Sequence, residues 1–226
     1  MRNLLYKEFK LCMMPIVWAF MAFVLMLLIP NYLYLIPCFF ICNAIFYVFQ
    51  TGTVNNDLLY TVLLPVGKRD AVKARYLFVI IIQMIMLILY VVMIAIKNAV
   101  MPISNFGLDA CPTLIGAALI TFAVFNAVFL PEFYKTGVKA GRSFLLASIA
   151  IFVWITVCEG FFIAAASASD KAAAFGWVAA NIDCMPKTAE AWTAQLIIIA
   201  VCAVIYAAVN MLSCKASCKN LEKVNL

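Results

Sequence analysis

The chain runs to 226 residues, 68% of them apolar and 12% charged, with a formal net charge of +6 and no histidine. Soluble domains lie nearer roughly 45–50% apolar and 25% charged. A chain of this length cannot hide so much apolar surface in one water-exposed core, so lipid must be its main solvent, which excludes a soluble enzyme or binding domain. The net charge does not point to nucleic acid either. Thirteen of the sixteen Lys and Arg fall in residues 1–14, 54–76, 131–143 and 214–226, while Lys97, Lys171 and Lys187 fall in the intervening loops. Cytoplasmic loops of membrane proteins carry such an excess. The alternation predicts an all-α polytopic membrane protein: a single transmembrane domain over 1–226 with six transmembrane helices and both termini cytoplasmic.

Residues 2–12 place Leu4, Leu5, Phe9 and Cys12 on one helical face and Arg2, Lys7 and Lys10 mostly on the other. Residues 1–12 therefore read as an amphipathic helix lying in the inner interface. No small-residue cleavage site follows, so the first span (about 13–30) serves as its own insertion signal. Pro30-Asn31 makes an outer turn, and the second span covers about 33–53, close to one hydrocarbon thickness at 1.5 Å per residue. A polar cytoplasmic stretch, 54–75, leads to span three (about 76–96). An outer loop (97–112) with Pro102, Gly107, Asp109 and Pro112 leads to span four (about 113–131). The inner loop 132–143 carries Glu132, Lys135, Lys139 and Arg142. Span five (about 144–165), an Ala-rich outer segment (166–190), span six (about 191–213) and a basic tail complete the chain. Two three-span halves do not align convincingly, so an inverted-repeat transporter is only a fallback.

The residue inventory argues against catalysis. Without His, histidine-based triads and histidine-ligated zinc are unavailable. No G-x-x-x-x-G-K-[ST] loop occurs, so the chain has no phosphate-cradling loop of its own for ATP. Cys38, Cys42, Cys158 and Cys202 lie within spans as small hydrophobes. Cys214 and Cys218 sit one turn apart without further metal ligands, and Cys111 and Cys184 share the outer side, where they are free to pair. Gly137 and Gly141 have helix-dimer spacing, but in a basic loop outside the bilayer.

Glu159 is the one ionisable side chain within a predicted span. A carboxylate mid-bilayer costs on the order of 3 kcal/mol, so it should face protein or water. Either it lines a cavity, touching substrate or holding an outer gate, or span five ends near 158 and Glu159 sits at headgroup level, with Gly160 breaking the helix. Asn43, Tyr47 and Gln50 recur at i, i+4 and i+7 in span two. That stripe is either a hydrogen-bonded seam of the bundle or the lining of a substrate path. Gln83, Asn126 and Asn210 are polar singletons in spans three, four and six, expected to hold helices together. Trp177 and Trp192 fit an outer aromatic belt.

The cytoplasmic stretch contains a short helix from Asp57 to Leu64 with Leu58, Leu59, Val62 and Leu63 on one face. Pro65 stops it, and the chain restarts at Lys68-Arg69-Asp70. An amphipathic helix on the basic side is either a docking ridge for a cytoplasmic partner or an ordinary interfacial connector.

Two segments carry a resemblance. Leu5, Lys7, Glu8, Phe9 and Lys10 open the chain, and Leu63-Leu64-Pro65-Val66, Lys68, Arg69, Val72 and Arg75-Tyr76-Leu77 follow span two. With six spans and cytoplasmic ends, this resembles the membrane (permease) subunits of bacterial type-2 ABC exporters. The resemblance implies residence in the bacterial cytoplasmic membrane. It implies a separate cytoplasmic ABC ATPase as partner and a second six-span chain, identical or not. It places ATP and Mg²⁺ on the ATPase and no cofactor here. It makes Asp57, Leu58, Leu59, Val62, Leu63, Pro65, Lys68, Arg69 and Asp70 a coupling surface, and Asn43, Tyr47, Gln50 and Glu159 candidates for a substrate path. Residues 160–190 would be paired short outer helices dipping into the membrane, and the substrate would be a peptide, drug or lipid-like molecule. Two other readings remain. One is a six-span accessory or immunity protein acting without an ATPase. The other is an intramembrane hydrolase, which would need a second carboxylate facing Glu159, and none is present.

Overall fold

The computed structural model describes residues 2–12, 15–63, 67–101, 107–136, 139–168, 173–183 and 185–223, and these form helices and connecting turns with no strand among them. Helix α1 (Arg2–Lys7) continues as a π-helical turn, Glu8–Cys12. Helix α2 (Pro15–Met21) tightens into a 3₁₀ stretch, Ala22–Leu28. The remaining helices are α3 (Ile36–Val54), α4 (Asp57–Leu63), α5 (Lys68–Val100), α6 (Thr113–Lys135), α7 (Ala140–Ala168), α8 (Ala173–Asn181) and α9 (Ala189–Lys223). Pro65, Val66, Pro102, Gly137, Lys171 and Cys184 lie outside the described residues.

Five helices, α3, α5, α6, α7 and α9, are long and apolar enough to cross a bilayer. A sixth candidate is the bent pair Leu4–Lys10 and Pro15–Leu28, whose two parts meet at 77° and are long and apolar enough only when taken together. Seven α-helical residues at 1.5 Å and seven 3₁₀ residues at 2.0 Å give about 25 Å, so the tighter winding helps fourteen residues approach the hydrocarbon thickness.

Local chemistry sets the corners. Asn31 and Asn56 both take left-handed backbone, φ 56° and 51°, a region Asn tolerates better than most residues. At Asn56 the chain turns out of α3 and straight into α4, with the Tyr60 N–H donating to the Asn56 carbonyl at 3.1 Å. Gly67 starts α5 in extended geometry, its carbonyl accepting from the Asp70 and Ala71 amides.

Helix α6 is buried on almost every side and packs against α9 and α7, as an element apolar all round should. A Cβ on Gly116 would come within 3.3 Å of Cys202 Sγ, so this glycine lets α6 and α9 approach closely. Phe49 of α3 meets Phe129 and Phe133 of α6 edge to face, with centroids 5.2 and 4.9 Å apart. Gly160 does not break α7, which continues eight residues beyond it to Ala168. The α-helix then resumes as α8, which packs back against α7 and α9.

Candidate functional site

The basic segments meet at one end of the bundle, around Arg75. Arg75 is 5% exposed, about two turns into α5 on its buried face. Nε donates to Glu8 Oε2 at 2.9 Å and Nη2 to Glu8 Oε1 at 3.2 Å, the bidentate fork a guanidinium makes with a carboxylate. Nη2 also bonds Asp57 at the start of α4. The guanidinium lies over the Phe49 ring at 5.3 Å, and Gly52 leaves it room. Lys7 binds both Asp57 and Thr61 of α4. Burial pushes the Asp57 carboxyl up, but the Lys7 hydrogen bond and the charges of Arg75 and Lys7 outweigh it, leaving the group below its ordinary value. One junction thus ties the N-terminal helix, α3, α4 and α5 together.

Sequence reasoning placed Asp57 on the outward coupling surface, whereas the structure turns it inward, toward Arg75. Leu63 is 73% exposed, and Tyr60 beside it is open as well. Leu58, Leu59 and Val62 lie on α4, though their side chains are outside the described residues. Arg69 and Asp70 are exposed at the head of α5, where Arg69 pairs with Glu222 of α9; Lys68 precedes them in the same turn. Arg75 was visible only as one position of a motif. Its spacing from Glu8 is 67 residues, which no local pattern reports.

Mid-bundle, the three polar singletons converge. Gln83 and Asn126 exchange amide hydrogen bonds at 3.0 and 2.9 Å, Asn126 Nδ2 donates to Asn210 Oδ1 at 2.9 Å, and the Tyr206 hydroxyl donates to Gln83 Oε1 at 2.7 Å. Ser213 Oγ donates to the Asn126 carbonyl at 2.7 Å, and the Tyr76 hydroxyl bridges Ser213 and Ser217. This ladder joins α5, α6 and α9 along their buried seam.

At the far end, residues 107–112 fold over the bundle as a plug. Lys97, 2% exposed near the end of α5, reaches Asp109 Oδ1 at 3.3 Å and stands over the Tyr34 ring at 4.4 Å. Glu159 is 3% exposed, and its Oε2 accepts the Leu108 N–H at 2.9 Å. A Cβ on Gly107 would collide with that carboxylate, so Gly107 is what lets the loop sit so close. The Asp109 N–H donates to Asp183 Oδ1 at 2.7 Å. Burial lifts the Asp183 carboxyl to about 6; the neighbouring Asp109 charge adds to this and the Asp109 amide opposes it. Thr113 Oγ1 and Cys111 Sγ both donate to the Ile182 carbonyl, at 2.8 and 3.4 Å. The second member of the predicted Cys111–Cys184 pair lies outside the described residues.

Glu159 therefore sits apart from the stripe with which it was grouped. Asn43 is half-buried and Tyr47 and Gln50 are exposed on the outer surface of α3, and Gln50 is about 21 Å along α3 from its Ile36 end. Tyr47 stacks on Phe20 at 6.0 Å, and Phe20 on Phe40 at 6.1 Å. The stripe is open to whatever lies outside this chain.

Among known proteins, a family model described as ABC-2 family transporter protein matches residues 3–219. No curated protein and no solved structure matches the chain.

Proposed function

The chain belongs to the ABC-2 family of transporter proteins, and from that premise we propose that α4 and the Arg75 junction couple a separate ATPase to export of a substrate. As a family member it is a membrane permease component of an ABC-type transporter, a multi-pass protein of the bacterial plasma membrane that works with an ABC ATPase. In the proposed mechanism ATP and Mg²⁺ act on the ATPase, and this chain converts its closure into tilting of spans. Leu58, Leu59, Val62 and Leu63 form the ridge it grips, Pro65 ends the ridge, and Lys68, Arg69 and Asp70 form the rim. A push on α4 is delivered to α5 through Asp57 and Arg75.

The observation that carries this reading is the Arg75 junction. A short helix that merely connected two spans would not need a buried guanidinium shared with the N-terminal helix. Breaking such a pair strands a charge, at a cost of about 3–5 kcal/mol, so α4 moves with α5 rather than against it. The uncovered stripe at Asn43, Tyr47 and Gln50 supports a second six-span chain, with the substrate path between the two copies; polar side chains facing hydrocarbon are expensive unless covered. Glu159 takes the gate-holding role, on the plug. The substrate class remains peptide, drug or lipid-like.

Leu63→Glu tests the grip. Because Leu63 is exposed, insertion and thermal stability should be unchanged, while the ATP hydrolase retained on the tagged chain in detergent should fall at least tenfold. Unchanged retention, or wild-type complexes that never contain a hydrolase, would return the chain to an accessory protein working without an ATPase.

A further inference from the structure

The inner ends of α5 and α9 leave a groove between them that shares only Arg69 with the proposed coupling surface. Its wall carries Arg69 and Lys73 on α5 and Lys215 and Lys219 on α9, above a floor of Met211, Cys214 and Cys218, and it encloses about 470 Å³. A second groove of about 490 Å³ shares Lys73, Met211 and Cys214 with the first and runs on past Leu77 and Ile80 of α5 to Tyr206 and Ala207 of α9. From Lys219 to Ala207 is twelve residues of helix, about 18 Å. The site is thus a basic cup that opens into an apolar trough along the helix pair.

We propose that this groove is a selective site for an anionic phospholipid of the leaflet at the basic end, its phosphate in the cup and an acyl chain in the trough. Depth leaves few alternatives for the occupant. Lys215 and Lys219 stand just beyond the predicted end of span six, at headgroup level, while Met211 and Leu77 are exposed at hydrocarbon level, where only lipid or a second membrane chain can cover them. Charge chooses among lipids. Glu222 pairs with Arg69, and Asp70 lies 3.9 Å from Lys73, so two of the four cations are partly neutralised. Among the described residues Lys215 and Lys219 have no carboxylate within 4.0 Å, which leaves the cup cationic and complementary to a phosphate diester. The Tyr76 hydroxyl and Asn210 amide beside the trough are turned inward into the buried ladder, and so present hydrocarbon to it.

The experiment uses the full chain purified alone, so its result is independent of any ATPase. Native mass spectrometry would compare phosphatidylglycerol with phosphatidylcholine of the same acyl chains. The wild-type chain should retain the anionic lipid at least tenfold more tightly. Lys73→Gln, Lys215→Gln and Lys219→Gln together should cost roughly twenty-five- to a hundredfold, near fivefold for each unpaired cation and less for Lys73, which faces Asp70, while thermal stability holds because the three are exposed. Cys214→Phe, which fills the floor without touching charge, should weaken the same lipid. Removing equal charge from the other basic corner, by Lys135→Gln, Lys139→Gln and Arg142→Gln, should not. Equal losses in both charge sets would mean diffuse attraction and overturn the site. So would full competition by soluble glycerophosphoglycerol, or indifference to Cys214→Phe. Loss of self-association rather than of lipid in the cup variants would assign the groove to a second copy of the chain and likewise overturn it.

Discussion

Replacing Arg75 by Met is the sharpest perturbation of the coupling scheme. The substitution removes the fork on Glu8 and one of the two cations on Asp57. Asp57 keeps Lys7, but Glu8 is buried, and Lys7 Nζ at 3.9 Å does not replace a bidentate guanidinium. Taking the guanidinium away from a buried pair of this kind costs about 3–5 kcal/mol. For a chain of this size each kcal/mol moves the midpoint by ~2–4 °C, so the detergent-solubilised protein should melt about 6–20 °C lower. Arg75→Met with Glu8→Met removes both ends of the fork, and well-packed apolar replacements of a buried pair are often neutral, so most of the lost stability should return. Transport should not. In proteoliposomes the double variant should still bind and activate its ATPase through α4 while ATP-driven export collapses. A single variant as stable as wild type, or a double variant exporting at the wild-type rate, would refute the reasoning.

Four further outcomes follow from the same geometry. Between its ordinary value and about 6 the Asp183 carboxyl holds more proton in the folded chain than in the unfolded one. The plug is therefore most secure below about pH 4 and loosens as pH rises through 6, so amide exchange at residues 108–111 should quicken across that range and Asp183→Asn should flatten the response. Asp57 runs the other way: its depressed carboxyl stabilises the Arg75 junction above about pH 4, and that contribution is lost as pH falls through the folded value. Asn126→Ala leaves Gln83 and Asn210 facing a gap, at a cost of about 1–3 kcal/mol by thermal melting, and changing all three to Leu should recover much of it. Glu159→Ala removes the acceptor of the Leu108 amide and should speed its exchange, whereas Glu159→Gln keeps an acceptor and should not.

Hydropathy made the spans legible, because a segment of roughly 20 apolar residues has almost no other fate. The gathering of basic segments at one end was equally legible: Lys7 meets Asp57, Arg69 meets Glu222 and the Asn220 amide reaches the Pro131 carbonyl, all at that end. The start of α4 was readable from Asn55-Asn56-Asp57, a turn followed by an acidic first position. The roles of charged side chains were not readable, because they rest on partners tens of residues away. Asp57 reads as surface in a polar loop, and only Lys7, fifty residues back, and Arg75, eighteen residues on, make it internal. Lys97 looks like a solvated outer cation until Asp109 and the Tyr34 ring close around it. Gly160 misleads for a different reason: a glycine in an apolar helix costs little when neighbouring turns hold the backbone, and nothing lies near enough to force a bend.

Helix α5 gives the coupling proposal its mechanical content. Arg75 and Lys97 are separated by 22 residues, about 33 Å and close to six full turns, so both buried cations look out of the same face of one unbroken helix. Each is neutralised by carboxylates on other elements, Glu8 and Asp57 at the α4 end and Asp109 at the plug end. An α5 that slid free of either cluster would strand a charge in low dielectric, so each cluster must travel with it. The amide ladder between them is built differently. Gln83, Asn126 and Asn210 are neutral groups that both donate and accept, and they can exchange partners along the seam at a cost of about 1 kcal/mol per bond. On the coupling proposal the chain is stiff where α5 meets α4, stiff where it meets the plug, and soft in the middle, where α5 would slide past α6 and α9. A displacement of α4 by a motor would then reach the plug along the helix axis, and a bundle held by ion pairs throughout would have no such seam.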